Sequence, residues 1–500
     1  MSTGQAFSTA SQSARLATRR NTRVALQYDA PMRRLMLLPV VLAAATLVAQ
    51  TPPQPDWPAL EKETLQHFQA LVQLNTTDPP GGERPAAEYL RQVLERDGIS
   101  AQLFALEDHR PNLVARLKGN GKKRPLLIMG HTDTVNVDEK KWTFPPFSAA
   151  RDGGYLYGRG TVDDKDNVTG ALMTLLTLKR LQVPLDRDVI FLAEAGEEGA
   201  SRLGVQFMAE QHFADIDAEY CLAEGGNGTR LNGALKFVSI QTLEKIPRSV
   251  ELVAHGPSGH ASVPLKGNAV AHLATAVGKA AAWKPPIRLN ETTRVFFDRL
   301  AQISTPEEAA RYRAILNNNP SVSGPADDYF LDHEPRYASM IRTSISPTMI
   351  QAGYRVNVIP SEVRATLDVR MHPSDNPDDF LEALRRVIND PAVEVRYTAR
   401  GLRPGTDSAR LDYEGFKTAE AAVRKIYGTT TLPTMSTGAT DMAYLRAKGM
   451  QCYGIGPAID VEDGPKGFGA HSDQERILEN ELHRFVRFNY EVVVELARAR

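Results

Sequence analysis

Cysteine is almost absent from this chain: only Cys221 and Cys452 occur among 500 residues. Two thiols can build neither a four-cysteine zinc site nor the disulfide framework of a small secreted domain. Because both cysteines lie in apolar, strand-like runs, the sequence is compatible with one disulfide in an oxidising compartment and equally with two buried free thiols. A zinc site in this protein would therefore use other ligands.

An excess of positive charge is also missing. The 59 Lys and Arg residues are balanced by 60 Asp and Glu residues, so the formal net charge is −1 and no basic field would attract nucleic acid. The sequence lacks an internal repeat, which excludes a solenoid. It also lacks a Gly-x-Ser-x-Gly motif, which argues against a serine hydrolase. The length favours two domains.

A strongly apolar run lies near the N-terminus. The basic segment Met32–Arg34 precedes Leu35–Ala49, which contains small residues near its end. This pattern is typical of a secretory signal, and the run is too short for a comfortable membrane span. We expect residues 1–49 to be a leader and signal peptide of an exported protein, periplasmic or secreted. An uncleaved signal anchor is the alternative; after cleavage no stable membrane span would remain.

The first half of the expected mature chain alternates strands and helices. Leu126–Met129 and Val189–Ala193 are predicted buried strands, and Asn167–Leu181 is the predicted helix between them. Strand, helix and strand at this spacing favour a parallel sheet with helices on both faces. We therefore predict an α/β fold.

The pattern changes near residue 245 and returns after residue 405. The intervening part is α+β in character, with a predicted helical stretch at Arg294–Ile315 and a polar loop at Asn317–Pro335. The last predicted helix is Gln474–Ala497. The predicted domains are a parallel-sheet domain formed by residues 50–244 and 406–500, and an inserted α+β domain formed by residues 245–405.

Histidines and carboxylates follow the predicted strands and glycine-rich turns. They are His131 and Asp133 after the first strand, Asp163 in a Gly-rich turn, Glu197 and Glu198 after the second strand, Glu224 after Tyr220–Ala223, and His471 before the last helix. Each alone has a simple explanation as a helix cap or a solvated turn. Together they predict a carboxylate-rich site for two metal ions in the α/β domain.

The chemistry of these side chains suits such a site. The two oxygens of Asp163 could bridge two cations. Of the adjacent Glu197 and Glu198, one could bind a metal while the other handles a proton. Asp133 could accept the second ring N–H of His131 and so fix its tautomer.

In this order, the segments resemble the M20 metallopeptidases from about residue 60 to residue 495. The most specific stretches are Trp142–Val168 and Ile341–Pro373, which are similar to the carboxypeptidase S branch and its relatives that make and hydrolyse N-fatty-acyl amino acids. The resemblance implies a zinc-peptidase fold and two Zn²⁺ ions, with Co²⁺ or Mn²⁺ as substitutes. It also implies hydrolysis of an amide bond next to a free carboxylate, in a small peptide or an N-acyl amino acid.

The resemblance also implies a role for each site residue. One zinc would be held by His131, Asp163 and Glu224, and the other by Asp163, Glu198 and His471. Glu197 would be the general base and Asp133 would orient His131. The inserted domain would act as a lid and as a dimerisation domain of a homodimer, with His260 stabilising the oxyanion and Asn357 and Arg370 contacting the substrate.

The sequence departs from the family pattern in two places near the site. Gly196 stands where the family usually has Asp, and Asp166 stands where many members have Gly. A carboxypeptidase and an N-acyl-amino-acid amidohydrolase both remain open, because the motifs do not separate them. A catalytically inactive metal- or peptide-binding protein with the same fold is the alternative from another class, although no ligand or base is missing from the sequence.

Overall fold

The structure is a computed structural model that describes residues 25, 27, 54–398 and 403–499. The expected leader, residues 1–49, lies outside this part of the chain apart from Ala25 and Gln27. Within the described residues, no helix is both long enough and apolar enough to cross a membrane.

The helices and strands cover most of the described chain. The helices are α1 Trp57–Val72, α2 Arg84–Arg96, α3 Lys165–Arg180, α4 Val205–Gln211, α5 Phe213–Ile216, α6 Ala269–Ala282, α7 Glu291–Gln302, α8 Pro306–Ile315, α9 Pro320–His333, α10 Pro335–Met340, α11 Pro377–Ile388, α12 Glu414–Tyr427, α13 Met442–Arg446 and α14 Glu479–Ala497. The strands are β1 Ala101–Phe104, β2 Asn112–Leu117, β3 Leu126–His131, β4 Ala150–Asp152, β5 Tyr155–Tyr157, β6 Val189–Glu194, β7 Tyr220–Ala223, β8 Asn227–Leu231, β9 Ala234–Glu244, β10 Ile246–His255, β11 Gly259–His260, β12 Ser344–Gln351, β13 Val358–Ile359, β14 Glu362–Met371, β15 Val393–Tyr397, β16 Thr430–Ser436, β17 Gln451–Gly454, β18 Ala458–Asp460 and β19 Arg476–Leu478.

The main sheet has the strand order β1-β2-β6-β3-β7-β17-β9-β8-β18, and β16 pairs with β9. Its centre, β6-β3-β7-β17, is parallel as predicted. The pairs β1–β2 and β8–β9 are antiparallel, because short connections join their strands and a parallel pair needs a long crossover. The α/β fold is therefore confirmed. The sheet is parallel at its centre and mixed as a whole.

Both faces of the main sheet are covered by helices. Alternate residues of β3 point to opposite faces: Leu126 and Ile128 join the core under α1, α2, α3, α12 and α14, and Leu127 and Met129 join the core under α4 and α13. This alternation follows from the two-residue period of a strand, and burial on both faces explains why β3 is apolar throughout. Cys221 and Cys452 are neighbours on β7 and β17, and both are buried free thiols.

A second sheet has the order β12-β14-β10-β15 and is antiparallel throughout. Every second residue of β14, from Val363 to Met371, is buried against a separate apolar core that includes residues of α6 and α11. An antiparallel sheet with one buried face shows this alternation. The boundaries proposed for the inserted domain, residues 245 and 405, stay a prediction.

Helices α7–α10 form a layer that packs on β16 of the main sheet, and they correct two expectations. The predicted helical stretch Arg294–Ile315 is two helices, because Thr305 forms a capping box that starts α8. The predicted polar loop Asn317–Pro335 is mostly α9, in which Ala326 and Phe330 are buried against the other helices. The polar composition of this segment and its prolines concealed the short apolar stripe.

The last predicted helix, Gln474–Ala497, begins later than expected. Residues Arg476–Leu478 form β19, which pairs antiparallel with β5, and α14 starts only at Glu479. This pairing ties the loop that carries His471 to the region just before α3.

Candidate metal centre

Three neighbouring parallel strands end at the candidate site. His131 is the last residue of β3, Glu197 and Glu198 follow β6, and Glu224 follows β7 directly. Because β6, β3 and β7 are adjacent and parallel, their carboxyl ends lie at one edge of the sheet, where ligands bind in open α/β sheets.

Two further segments complete the cluster. Asp163 lies just before α3, and the Nε2 atom of His131 lies 3.0 Å from its Oδ1 atom. His471 comes from the loop before β19, and its Nε2 atom lies 3.0 Å from Asp163 Oδ2 and 3.1 Å from Glu198 Oε1. Each oxygen of Asp163 thus faces a different histidine. This is the arrangement expected of a carboxylate that bridges two cations.

The side chains fall into two groups whose ligand atoms lie within 4.8 Å of one another. The first is His131, Asp163 and Glu198, and the second is His131, Glu197 and Glu224. Glu224 is thus grouped with His131 and Glu197, and the expected ligand set of His131, Asp163 and Glu224 stays a prediction. Imidazole nitrogens and carboxylate oxygens are the ligands of catalytic zinc sites, so the donor set fits a divalent metal.

The electrostatics of the cluster also fit bound cations. Burial, and next the charge of Asp441, raises the pKa of Glu197 to about 8. Burial, and next the charge of Glu197, raises the pKa of Glu224 well above its ordinary value. Hydrogen bonds with Asp163 and Glu198 raise the pKa of His471 to about 10. The carboxyl groups of Glu197 and Glu224 and the imidazole of His471 thus hold protons that bound cations could replace.

Asp133 contacts the cluster mainly through the backbone of Glu197 and Glu198. Its buried carboxylate accepts hydrogen bonds from the backbone N–H groups of Glu197 and Glu198, at 3.2 and 3.0 Å. His131 Nδ1 lies 3.0 Å from the backbone carbonyl of Asp133 and 3.5 Å from its Oδ1 atom. The expected contact with His131 is present, and its shorter distance is to the carbonyl oxygen.

The departure at Gly196 has a backbone reason. Gly196 has φ +75°, and a Cβ atom there would lie 2.8 Å from the carbonyl oxygen of Ala200. A side chain is strained in this conformation and crowded by this neighbour. The turn that presents Glu197 therefore depends on glycine.

His260, Asn357 and Arg370, the residues predicted to act on the substrate, lie on or next to strands β11, β13 and β14, outside the main sheet. His260 is exposed on β11, where its Nδ1 atom lies 2.7 Å from Ser262 Oγ. The backbone carbonyl of the exposed Asn357 accepts a hydrogen bond from the Ala261 N–H, and the Arg370 side chain forms an ion pair with Asp368 at 3.0 Å. Over residues 54–398 and 403–499, no hydrogen bond or ion pair joins these three residues to the metal-ligand candidates.

Comparison with known proteins identifies the family. The sequence profile of peptidase family M20/M25/M40 matches residues 127–495. The chain belongs to this family. It is therefore an M20 hydrolase that acts on amide or peptide bonds, and M20 peptidases are metal-dependent.

Curated relatives and solved structures agree with this assignment. The chain is 27% identical over 405 residues to human "N-fatty-acyl-amino acid synthase/hydrolase PM20D1", covering 79% of this chain and 76% of that protein. It is 31% identical to "Probable carboxypeptidase S-like 2" of Dictyostelium discoideum, over 60% of this chain and 58% of that one. The fold matches the M20 metallo-carboxypeptidase Sso-CP2 from Sulfolobus solfataricus with a TM-score of 0.66 at 20% identity, covering 86% of this chain and 98% of that one.

An ion pair that the sequence did not predict joins the two loops of this M20 hydrolase that carry Asp163 and His471. Arg159 and Glu475 are buried and meet at 2.6 Å. Arg159 also donates to the Ser472 carbonyl, and Glu475 accepts from the Val162 N–H. The pair thereby fixes the loop of Asp163 to the loop of His471. No local motif signals a contact between residues so distant in sequence.

A second missed group lies beside Glu197. The Nη2 atom of Arg403 lies 3.1 Å from Glu197 Oε1, and its Nη1 atom lies 3.3 Å from Asp441 Oδ1. Asp441 follows the Gly-containing segment after β16, a strand-end position like those of the predicted ligands. That position is the one signal that could have drawn attention to it. Arg403 carries no such signal.

Proposed function

We propose that this M20 hydrolase uses two zinc ions to cleave an amide bond next to a free carboxylate. The observation that carries the proposal is the position of Asp163, whose two oxygens each lie 3.0 Å from a different histidine. A carboxylate between two imidazoles suits a shared ligand of two cations. In this proposal Asp163 is shared, His131 and Glu224 complete one ligand set, and Glu198 and His471 complete the other.

The chain's own residues would then divide the hydrolysis between them. Bound divalent cations would polarise the amide carbonyl and acidify the attacking water. Glu197 takes a proton from that water while the water oxygen bonds to the carbonyl carbon. When the C–N bond breaks, Glu197 returns the proton to the leaving nitrogen, so that one water yields a carboxylic acid and an amine. His260 would stabilise the oxyanion, and Asn357 and Arg370 would bind the substrate.

Two substrate classes follow from the names of the relatives. The human relative is named for N-fatty-acyl amino acids and the Dictyostelium relative for carboxypeptidase S. Both classes present a free carboxylate beside the amide. Arg370 is the proposed partner of this carboxylate, because a guanidinium matches a carboxylate in a bidentate pair.

The test is metal analysis combined with a paired substrate screen. Purified protein should contain about two zinc ions per chain and should lose activity to a chelator. N-acyl amino acids and dipeptides should be compared with the same compounds carrying a C-terminal amide, and we expect hydrolysis of the free acids only. Metal-free protein with undiminished activity would exclude the two-zinc proposal, and equal rates on acids and amides would exclude recognition of the carboxylate.

The role of His260 needs a further proposal, since within the described part of the chain no hydrogen bond or ion pair joins it to the metal-ligand candidates. We propose that a homodimer delivers His260 to the site of the other subunit. His260→Ala should lower kcat and leave the metal content unchanged. Mixing His260→Ala with Glu197→Gln protein should restore activity, because one site of each mixed dimer would be intact. Absence of rescue in subunits shown to exchange would exclude delivery between subunits.

We also propose export, on the basis of the basic and apolar segments at residues 32–49. N-terminal sequencing of protein from its host should find a start between about residues 44 and 51. Intact residues 1–49 on cytoplasmic protein would refute export without affecting the proposed chemistry.

A further inference from the structure

We propose that Arg403 is a positioning residue for the general base, an inference that rests on the proposed role of Glu197. The guanidinium would hold one carboxylate oxygen of Glu197 so that the other can exchange a proton with the attacking water. Among the described residues, Arg403 makes no hydrogen bond or ion pair with the five proposed metal ligands. Its effect would therefore reach the reaction through Glu197.

The guanidinium of Arg403 contacts three polar side chains, those of Glu197, Ser201 and Asp441. Its Nη2 atom donates to Glu197 Oε1 and to Ser201 Oγ, both at 3.1 Å. Its Nη1 atom lies 3.3 Å from Asp441 Oδ1, and Ser201 Oγ donates to the same Oδ1 atom at 3.0 Å. The Arg403 side chain is 18% exposed and the Glu197 side chain 11%, so water would only weakly screen the attraction between the guanidinium and an ionised Glu197.

The need for a guanidinium follows from the charges around it. Glu197 and Asp441 are two carboxylates on different elements, and Asp441 is almost fully buried. Without a cation between them, their repulsion would favour other rotamers of Glu197. A planar guanidinium can contact two carboxylates with separate N–H groups, whereas a lysine ammonium offers one compact charge. The backbone of Glu197 is held by Asp133, so Arg403 supplies the contact that orients the carboxylate itself.

Substitutions of Arg403, compared with a substitution of another arginine on the same connecting segment, test the inference. Arg403→Ala should lower kcat about 10- to 100-fold, the range expected when a catalytic group is misplaced, with KM and zinc content close to those of the wild type. Guanidinium chloride at non-denaturing concentration should restore part of the lost kcat. Arg403→Lys should lower kcat about 3- to 10-fold, because lysine keeps the charge and loses the fork.

The matched control is Arg410→Ala. Arg410 lies on the same connecting segment and forms an ion pair with Asp412 at 2.7 Å, but its side chain is 55% exposed. We expect wild-type kinetics for this variant. Binding of a non-hydrolysable N-acyl amino acid analogue, measured by calorimetry, should be the same in wild-type and Arg403→Ala protein.

Several results would overturn the inference. Wild-type kcat in Arg403→Lys would do so, and that variant decides the question if Arg403→Ala fails to fold. A raised KM with unchanged kcat, together with weaker analogue binding, would instead make Arg403 a binder of the substrate carboxylate. An inactive Glu197→Gln enzyme beside fully active Arg403 variants would refute this inference alone. Normal turnover in Glu197→Gln would remove the base assignment, and the inference with it.

Discussion

Replacing Glu197 by glutamine would separate proton transfer from metal binding. Glutamine has the shape of glutamate, and its carbonyl oxygen can still accept the hydrogen bond that Arg403 donates to Glu197 Oε1. The backbone hydrogen bond to Asp133 does not involve the substituted group. The substitution therefore leaves the surroundings of the side chain in place and removes its ability to accept a proton.

The expected loss is large and specific to kcat. A general base contributes about 10²- to 10⁴-fold, which corresponds to about 2.7–5.4 kcal/mol in the activation free energy. Folding should not suffer. Burial and the charge of Asp441 raise the pKa of Glu197 to about 8, so the metal-free folded protein keeps this carboxyl protonated at neutral pH. The unfolded chain releases the same proton at a lower pH, so this group lowers the free energy of unfolding once the pH rises above its unfolded pKa. A neutral glutamine removes this loss of stability, and the Tm of metal-free protein should stay equal or rise.

The assay compares Glu197→Gln with Glu198→Gln, two identical substitutions at adjacent positions. Steady-state kinetics on a hydrolysed N-acyl amino acid or dipeptide gives kcat, and elemental analysis gives zinc per chain. Glu197→Gln should keep both metals. Glu198→Gln should lose the metal that Glu198 shares with His471, because Glu198 Oε1 lies 3.1 Å from His471 Nε2.

Two results would refute the reasoning. Turnover of Glu197→Gln within threefold of the wild type would mean that the base is another residue. Loss of zinc from Glu197→Gln would mean that Glu197 is itself a ligand, as its closeness to His131 and Glu224 also allows.

Three further predictions concern the metal, the ligand loops and the fold. Zinc affinity should rise from about pH 7 to pH 9 and zinc binding should release protons, because the pKa of His471 is raised to about 10 and a metal must displace its proton. Calorimetry in buffers of different ionisation enthalpy measures the protons released. A zinc affinity independent of pH would contradict the prediction. Glu475→Gln should lower the free energy of unfolding in urea by about 3–5 kcal/mol, because Arg159 would stay buried without its charge partner; a loss below about 1 kcal/mol would show that the pair does not hold the loops. Phe330→Ala should lower the free energy of unfolding by about 3–5 kcal/mol, since its ring is fully buried in the helical layer. Asp332→Ala, on the exposed side of α9, should leave this free energy almost unchanged. Equal effects of the two substitutions would exclude the packing of α9.

The sequence alone predicted the α/β class and the residues that converge. Apolar runs such as Leu126–Met129 can be buried on both faces only inside a sheet covered by helices. Polar residues directly after such runs must emerge at the edge of the sheet. That reasoning placed His131, Glu198 and Glu224 at one edge of the sheet, and in the structure His131 lies near each of the two glutamates. Their role as metal ligands stays a prediction.

Local patterns were less informative where packing against distant segments decides the structure. The stripe formed by Ala326 and Phe330 is too short to mark α9 as a helix, and it becomes buried only because α7, α8 and α10 cover it. The mixed character of the main sheet was missed for the same reason. Strand direction depends on which strands become neighbours, and the sequence does not state this.

The tertiary structure alone decided the contacts that orient the site. Arg403 lies 206 residues from Glu197 along the chain, and Glu475 lies 316 residues beyond Arg159. An arginine in a polar segment is an ordinary surface residue until folding brings a buried carboxylate within 3.1 Å of it. The sequence thus determines which groups can bind metal, because ligands are defined by residue type and by position at strand ends. The groups that hold those ligands in place are defined by distance in space, which only the folded chain sets.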